Sequence, residues 1–236
     1  MSFFTFNDYN SSDDLIITQP IIRPSWSQEM NEFPTGSVTK IIQFSRSFSN
    51  SPIEISAVIK NTSQERLRTL YSAVRGFGKL TVSSCPDEYM NAVASVLQPV
   101  AVAMTMAELN ITFTLLPFAY ATNPTIADFS SDYIEIQNNG TVFSAPEIRF
   151  TPTTADNVVL DVNGSQFTVK ITENLVNTEI IVDCDAEVTY YENNGEKISI
   201  NNQTFGNYPL LAIGEAFVSY TGNVVNASIN VRERYY

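Results

Sequence analysis

Asp183 and Asp185 flank Cys184 at i and i+2, and Glu187 continues the row. In an extended strand residues two apart share a face, so these carboxylates would stand side by side. Two carboxylates so placed suit the acid and base of glycoside hydrolysis or, with further oxygens, a Ca²⁺ site. Nothing around them supports either chemistry, since no EF-hand-like loop is present, and a solvated strand face is the plainer reading. Asp13-Asp14 and Asp87-Glu88 read as acids of a loop or helix start. Histidine is absent from all 236 residues. That removes Ser-His-Asp and Cys-His nucleophile pairs, a His general base, and His-ligated zinc, copper or haem. Gly76-Phe77-Gly78-Lys79 follows a helical stretch instead of opening one, and it lacks the rest of a phosphate loop. No Gly-X-Ser-X-Gly elbow occurs. The chain is therefore assigned no catalytic, no cofactor-binding and no metal-ligating residue, and it is expected not to be an enzyme.

Cys85 and Cys184 lie 99 positions apart and outside any Cys-X-X-Cys pattern. They read as two free thiols in a reducing compartment. A sugar site would need exposed aromatic rings with hydrogen-bonding neighbours, for which Tyr190, Tyr191, Tyr208 and Tyr220 are the candidates. A carbohydrate-binding module is accordingly the alternative reading of the second half.

The charge balance narrows the partners. Thirteen Lys+Arg stand against 25 Asp+Glu, a net charge of −12, with no basic cluster. Phosphate backbones and anionic membranes are both disfavoured, so neither nucleic acid nor membrane is expected as a partner. No apolar run approaches the ~20 residues of a membrane span; the longest, Ala92 to Met106, is cut by Gln98-Pro99. The opening residues lack the basic start and apolar core of a secretory signal, and seven Asn-X-Ser/Thr triplets then reflect composition only. Synthesis in the cytoplasm is the expectation.

The elements that must position these residues are mostly short strands. Ile53–Ile59 and Ile111–Leu115 alternate with period two. Glu147–Phe150, Val158–Val162, Phe167–Thr172, Glu179–Cys184, Glu187–Tyr191, Ala216–Tyr220 and Val224–Val231 continue the series. Asn139-Gly140, Asn163-Gly164, Asn194-Gly195 and Gly222-Asn223 separate them, and Asn-Gly is a strong hairpin cue. This spacing predicts antiparallel sandwiches. One helix is predicted from Gln64 to Arg75, with Thr62 as cap, Glu65 reaching back, Leu67, Leu70, Tyr71 and Val74 on one face, and Gly76 as the stop. A polar seam from Ala121 to Ser131 separates a first half, 1–128, of net charge −3 from a purely β second half, 129–236, of net charge −9.

Several segments in order resemble siphophage distal tail proteins. They are Phe4-Thr5-Phe6-Asn7 with Ile22-Arg23-Pro24, Leu80-Thr81-Val82 with Pro86 to Ala92, and Ile111-Thr112-Phe113-Thr114 running into Pro117-Phe118-Ala119-Tyr120. The second half adds Asn138 to Thr141 with Ala145-Pro146-Glu147-Ile148, then Ile180 to Asp183, Phe205 to Leu211, and Gly214. The resemblance spans essentially the whole chain. It implies a mainly β fold: an N-terminal belt domain over 1–128, a β-sandwich with one helix, then a galectin-like antiparallel β-sandwich over 129–236. It also implies a homo-hexameric ring at the distal end of the phage tail, made in the bacterial host cytoplasm. The implied neighbours are the major tail tube protein and the tail-associated lysin or tip protein, with receptor-binding proteins anchored on the ring.

Overall fold

The computed structural model describes residues 2–23, 26–35, 39–50, 52–60, 63–102, 106–129, 131 and 133–236. Packing divides the chain into two units, residues 1–122 with Tyr236, and residues 123–235. The seam thus falls at 122/123 and not at 128/129, because Ile126–Asp128 pairs with a strand of the second unit.

The first unit contains β1 (Phe4–Phe6), β2 (Tyr9–Asn10), β3 (Leu15–Ile17), β4 (Trp26–Thr35), β5 (Thr39–Asn50), β6 (Ile53–Lys60), α1 (Gln64–Ala73), β7 (Gly76–Val82), β8 (Cys85–Val102) and β9 (Met106–Ala121). Seven of these strands form an antiparallel sheet in the order β2-β1-β7-β8-β9-β6-β3. Among the described residues, β4 and β5 pair only with each other. The predicted alternation at Ile111–Leu115 belongs to a longer one: Ala107, Leu109, Ile111, Phe113 and Leu115 are buried, whereas Met106, Glu108, Asn110 and Thr114 are exposed. Phe113 takes the rings of Phe4 and Phe6 at 5.5 and 5.2 Å, tying the first strand to the middle of the sheet. The β8–β9 pairing shifts register three times, the last beside Pro99. Bulges at such points accommodate an imino acid that cannot donate to the ladder.

Helix α1 carries the chain from β6 to β7. Leu70 and Val74 are buried, while Leu67 and Tyr71 are half-buried, so the apolar stripe faces inward as its spacing predicts. The cap differs from expectation. Ser63 accepts the Arg66 N–H at 3.1 Å, which moves the start by one residue and leaves Glu65 too early for a capping box. Thr62 lies outside the described residues. The helix ends at Ala73, and Gly76, at φ +71°, opens β7.

The second unit contains β10 (Ile126–Asp128), β11 (Ile134–Asn138), β12 (Glu147–Pro152), β13 (Asn157–Val162), β14 (Ser165–Lys170), β15 (Ile180–Asp183), β16 (Val188–Asn193), β17 (Glu196–Ser199), β18 (Thr204–Phe205), β19 (Gly214–Thr221) and β20 (Val224–Asn230). Two antiparallel sheets, β10-β20-β12-β15-β16-β17 and β11-β19-β13-β14-β18, pack as a sandwich. Their inner faces share one core, which includes Ile148, Phe150, Ile180, Val182 and Ile229 from one sheet and Ile136, Leu160, Phe167, Val169 and Val218 from the other.

Asn163-Gly164 and Asn194-Gly195 close true two-residue hairpins, with both residues of each pair at positive φ. The other two turn signals do different work. Gly222 joins β19 to β20, which lie in opposite sheets. Before Asn139-Gly140, the buried Asn138 donates from Nδ2 toward the carbonyls of Val142, Leu211 and Ala212 and accepts the Gly140 N–H, fixing a loop from within.

Candidate functional site

The carboxylates singled out in the sequence do not form an open row. Asp183 ends β15, and Asp185 and Glu187 lie in the turn that follows, so the strand alternation stops at Asp183. Asp183 stands opposite Glu147 of β12, and two like charges so placed repel. Arg232 resolves the conflict. Its guanidinium donates to Asp183 at 2.7 and 3.3 Å and to Glu147 Oε2. Arg149 Nε donates to the other Glu147 oxygen at 2.7 Å, and its Nη1 reaches Glu179 at 3.3 Å. Arg234 pairs with Asp185. The Asp183 carboxylate also accepts the N–H groups of Asp185 and Ala186 at 3.1 Å each, so it caps its own turn.

Burial acts to raise the Asp183 pKa, but the Arg232 hydrogen bonds and the turn N–H groups outweigh it and hold the carboxyl below its ordinary value. Burial raises the Cys184 thiol, and the Asp183 charge adds to this. Cys184 is thus a poor source of thiolate. The arrangement is an ionic lattice of three arginines and four acids, in which both oxygens of Glu147 and of Asp183 are committed to arginines or backbone. Among the described residues, no three Cys, Asp or Glu side chains gather as a metal site.

The other candidates are also dispersed. Asp13 sits in a single 3₁₀ turn, and Asp14 pairs with Arg66 at 2.7 Å. Asp87 and Glu88 lie within strand β8, not at a helix start, and Glu88 pairs with Arg23 at 2.5 Å. Gly76 to Lys79 belongs to strand β7, where Lys79 Nζ lies 4.5 Å from the Tyr89 ring centre. The two cysteines are free and sit in different units.

Of the four tyrosines considered for sugar stacking, none presents an open ring. Tyr190 is buried and covered by Lys197, whose Nζ donates to the phenol at 3.0 Å. Tyr208 packs on Phe167 at 4.7 Å, and Tyr220 meets Phe129 edge-on at 5.6 Å. Tyr191 packs against the core from its margin. Open rings occur elsewhere in this unit, at Tyr133 and Phe217, which flank a depression lined also by Asn163 and Gly164. Sequence reasoning passed over both: Tyr133 lies just before β11, where no strand is predicted, and Phe217 is one apolar residue within the strand Ala216–Tyr220.

This architecture is one found in a hub protein of a phage adsorption apparatus. The crystal structure of the SPP1 Dit (gp 19.1) protein, described as a paradigm of the hub adsorption apparatus in phages infecting Gram-positive hosts, matches with a TM-score of 0.76 over 100% of both chains at 15% identity. No model of a known protein family and no curated protein matches the chain by sequence.

Proposed function

We propose that this protein is a structural component of a phage virion, the distal tail or baseplate hub protein of a long non-contractile tail. The observation that carries the reading is the shared fold over the full length of both chains. The protein would form a homo-hexameric ring joining the tail tube to the tail tip and its host-adhesion proteins, with no catalytic step. Its mechanism would be assembly, in which each copy presents two different complementary patches that close around a cyclic axis.

Two features favour the first unit as the ring-forming belt. Its sequence half is nearly balanced at net −3, whereas the second half, at net −9, would repel its copies more strongly at close quarters. The β4–β5 ribbon pairs with no third strand among the described residues. A two-stranded ribbon is marginally stable in water; β5 approaches β9 of its own chain, and in this reading a neighbouring subunit would cover the ribbon further. The second unit would then be a galectin-like module to which a different tail protein can attach.

The test is negative-stain microscopy and light scattering of the purified full chain. Closed sixfold rings, with backbone amides of β4 and β5 more protected from hydrogen exchange in the ring than at high dilution, are the expected result. A chain that stays monomeric at high concentration, alone and with neighbouring tail proteins, would overturn the reading.

A further inference from the structure

The outer face of the β11-β19-β13-β14-β18 sheet carries a feature that ring assembly does not use. Tyr133 is 60% exposed and Phe217 46% exposed, and with Asn163 and Gly164 they line an open depression of about 560 Å³. Exposed aromatic rings on a strand face lose apolar hydration only when something covers them.

The polar groups around the rings are planar and already oriented. Asn163, at φ +52°, begins the hairpin turn, and its Oδ1 accepts the Phe217 N–H at 2.8 Å. Its position is therefore locked, and its amide N–H groups remain as donors. Asp161 accepts the Gly164 N–H at 2.8 Å through one carboxylate oxygen, leaving the other as an acceptor beside the turn. Glu135 is the cross-strand neighbour of Phe217 and shares its outward face. Gly164 offers bare backbone, which lets a ligand approach closely.

We propose that this depression binds a neutral saccharide. A pyranose ring has an apolar C–H face that suits an aromatic ring, and hydroxyls that both donate and accept. An amide donor in the lining of the depression and carboxylate acceptors on the flanking strands match that chemistry. Charge selects among sugars. Strands β11, β13 and β19 carry Glu135, Asp161 and Glu215 and no Lys or Arg, so a phosphorylated, sialylated or uronic-acid ligand is repelled. The site is separate from the tyrosines first considered for sugar binding, all of which are packed away.

The experiment is biolayer interferometry with the full chain on immobilised lactose, maltose and N,N′-diacetylchitobiose, with 3′-sialyllactose as the anionic probe. At least one neutral sugar should bind, and sialyllactose should bind at least tenfold more weakly. Tyr133→Ala and Phe217→Ala should each reduce binding at least tenfold without altering thermal melting. Asn163→Gly keeps the backbone conformation accessible and removes the amide; it should weaken binding severalfold. Phe205→Ala removes an exposed ring from β18 at the other edge of the sheet and should leave binding unchanged.

Absence of binding to every immobilised neutral probe would overturn the proposal, as would preference for sialyllactose or equal loss in the Phe205 variant. If no sugar binds and the Tyr133 and Phe217 variants instead lose capture of a tail protein, the face is a protein-docking surface and the saccharide reading falls. Ring formation by these variants is a separate readout, so failure here leaves the hub reading standing.

Discussion

Replacing Arg232 by methionine keeps the aliphatic stem and removes the guanidinium that holds Glu147 and Asp183 together. The three side chains are 23%, 13% and 17% exposed. Breaking a fully buried pair costs about 3–5 kcal/mol, and an exposed pair is worth about 0–1 kcal/mol. These partly screened groups fall between, so the expected loss near pH 7 is about 2–3 kcal/mol. The pH dependence follows from Asp183, whose folded pKa lies below its ordinary value. The unfolded chain then binds more protons than the native one in that range, so the pairing contributes fully above the unfolded value of about 3.9 and is lost as pH falls through the folded value. In the methionine variant, protonation relieves repulsion between Asp183 and Glu147. The gap between wild type and variant should therefore shrink on going from pH 7 to about pH 3. Urea unfolding of the full chain measures this. Peptide-resolved hydrogen exchange assigns the lost stability to the second unit, which holds all three side chains. Converting the triad together, with Glu147→Gln, Asp183→Asn and Arg232→Met, should recover most of the loss, because no unpaired charge remains. A loss below about 0.5 kcal/mol at pH 7, or a gap that widens in acid, would refute the argument.

Three further outcomes are expected. Leu70→Ala should destabilise the first unit by about 2–5 kcal/mol in urea melts followed by circular dichroism, and a change below about 0.5 kcal/mol would mean that the helix face is not packed. Ser63→Ala should cost about 1 kcal/mol in the same melts, while Glu65→Gln should cost only a few tenths, since Ser63 caps without a reciprocal partner. Thiol titration of the native chain should find Cys85 reactive and Cys184 protected until urea is added. Mass spectrometry should find no bridge between them; a Cys85–Cys184 peptide would contradict their placement in separate units.

Residue order alone determined what depends on near neighbours along the chain. The alternation at Ile111–Leu115, the stripe Leu67, Leu70, Tyr71 and Val74, and the positive-φ pairs Asn163-Gly164 and Asn194-Gly195 are local patterns, and each produced the expected element. The absence of histidine likewise limits the chemistry whatever the fold, because a side chain missing from the chain cannot be supplied by packing. Local pattern was less decisive where two adjacent residues can serve one role, as Thr62 and Ser63 can at a helix start.

Only the tertiary structure decided which strands pair, and with that the fate of every candidate group. Asn139-Gly140 has the dipeptide of a hairpin but serves a loop clamped by Asn138. Gly222 makes a turn that leads into the opposite sheet. Arg232 reaches Asp183 across 49 positions, and no spacing rule along the sequence connects them. Tyr190 and Phe217 look alike as aromatic residues in short strands, yet one is covered by Lys197 and the other rims an open depression. The physical reason is that side-chain periodicity is set by backbone geometry within a few residues, whereas exposure and charge pairing are set by which distant strands exclude water from which face.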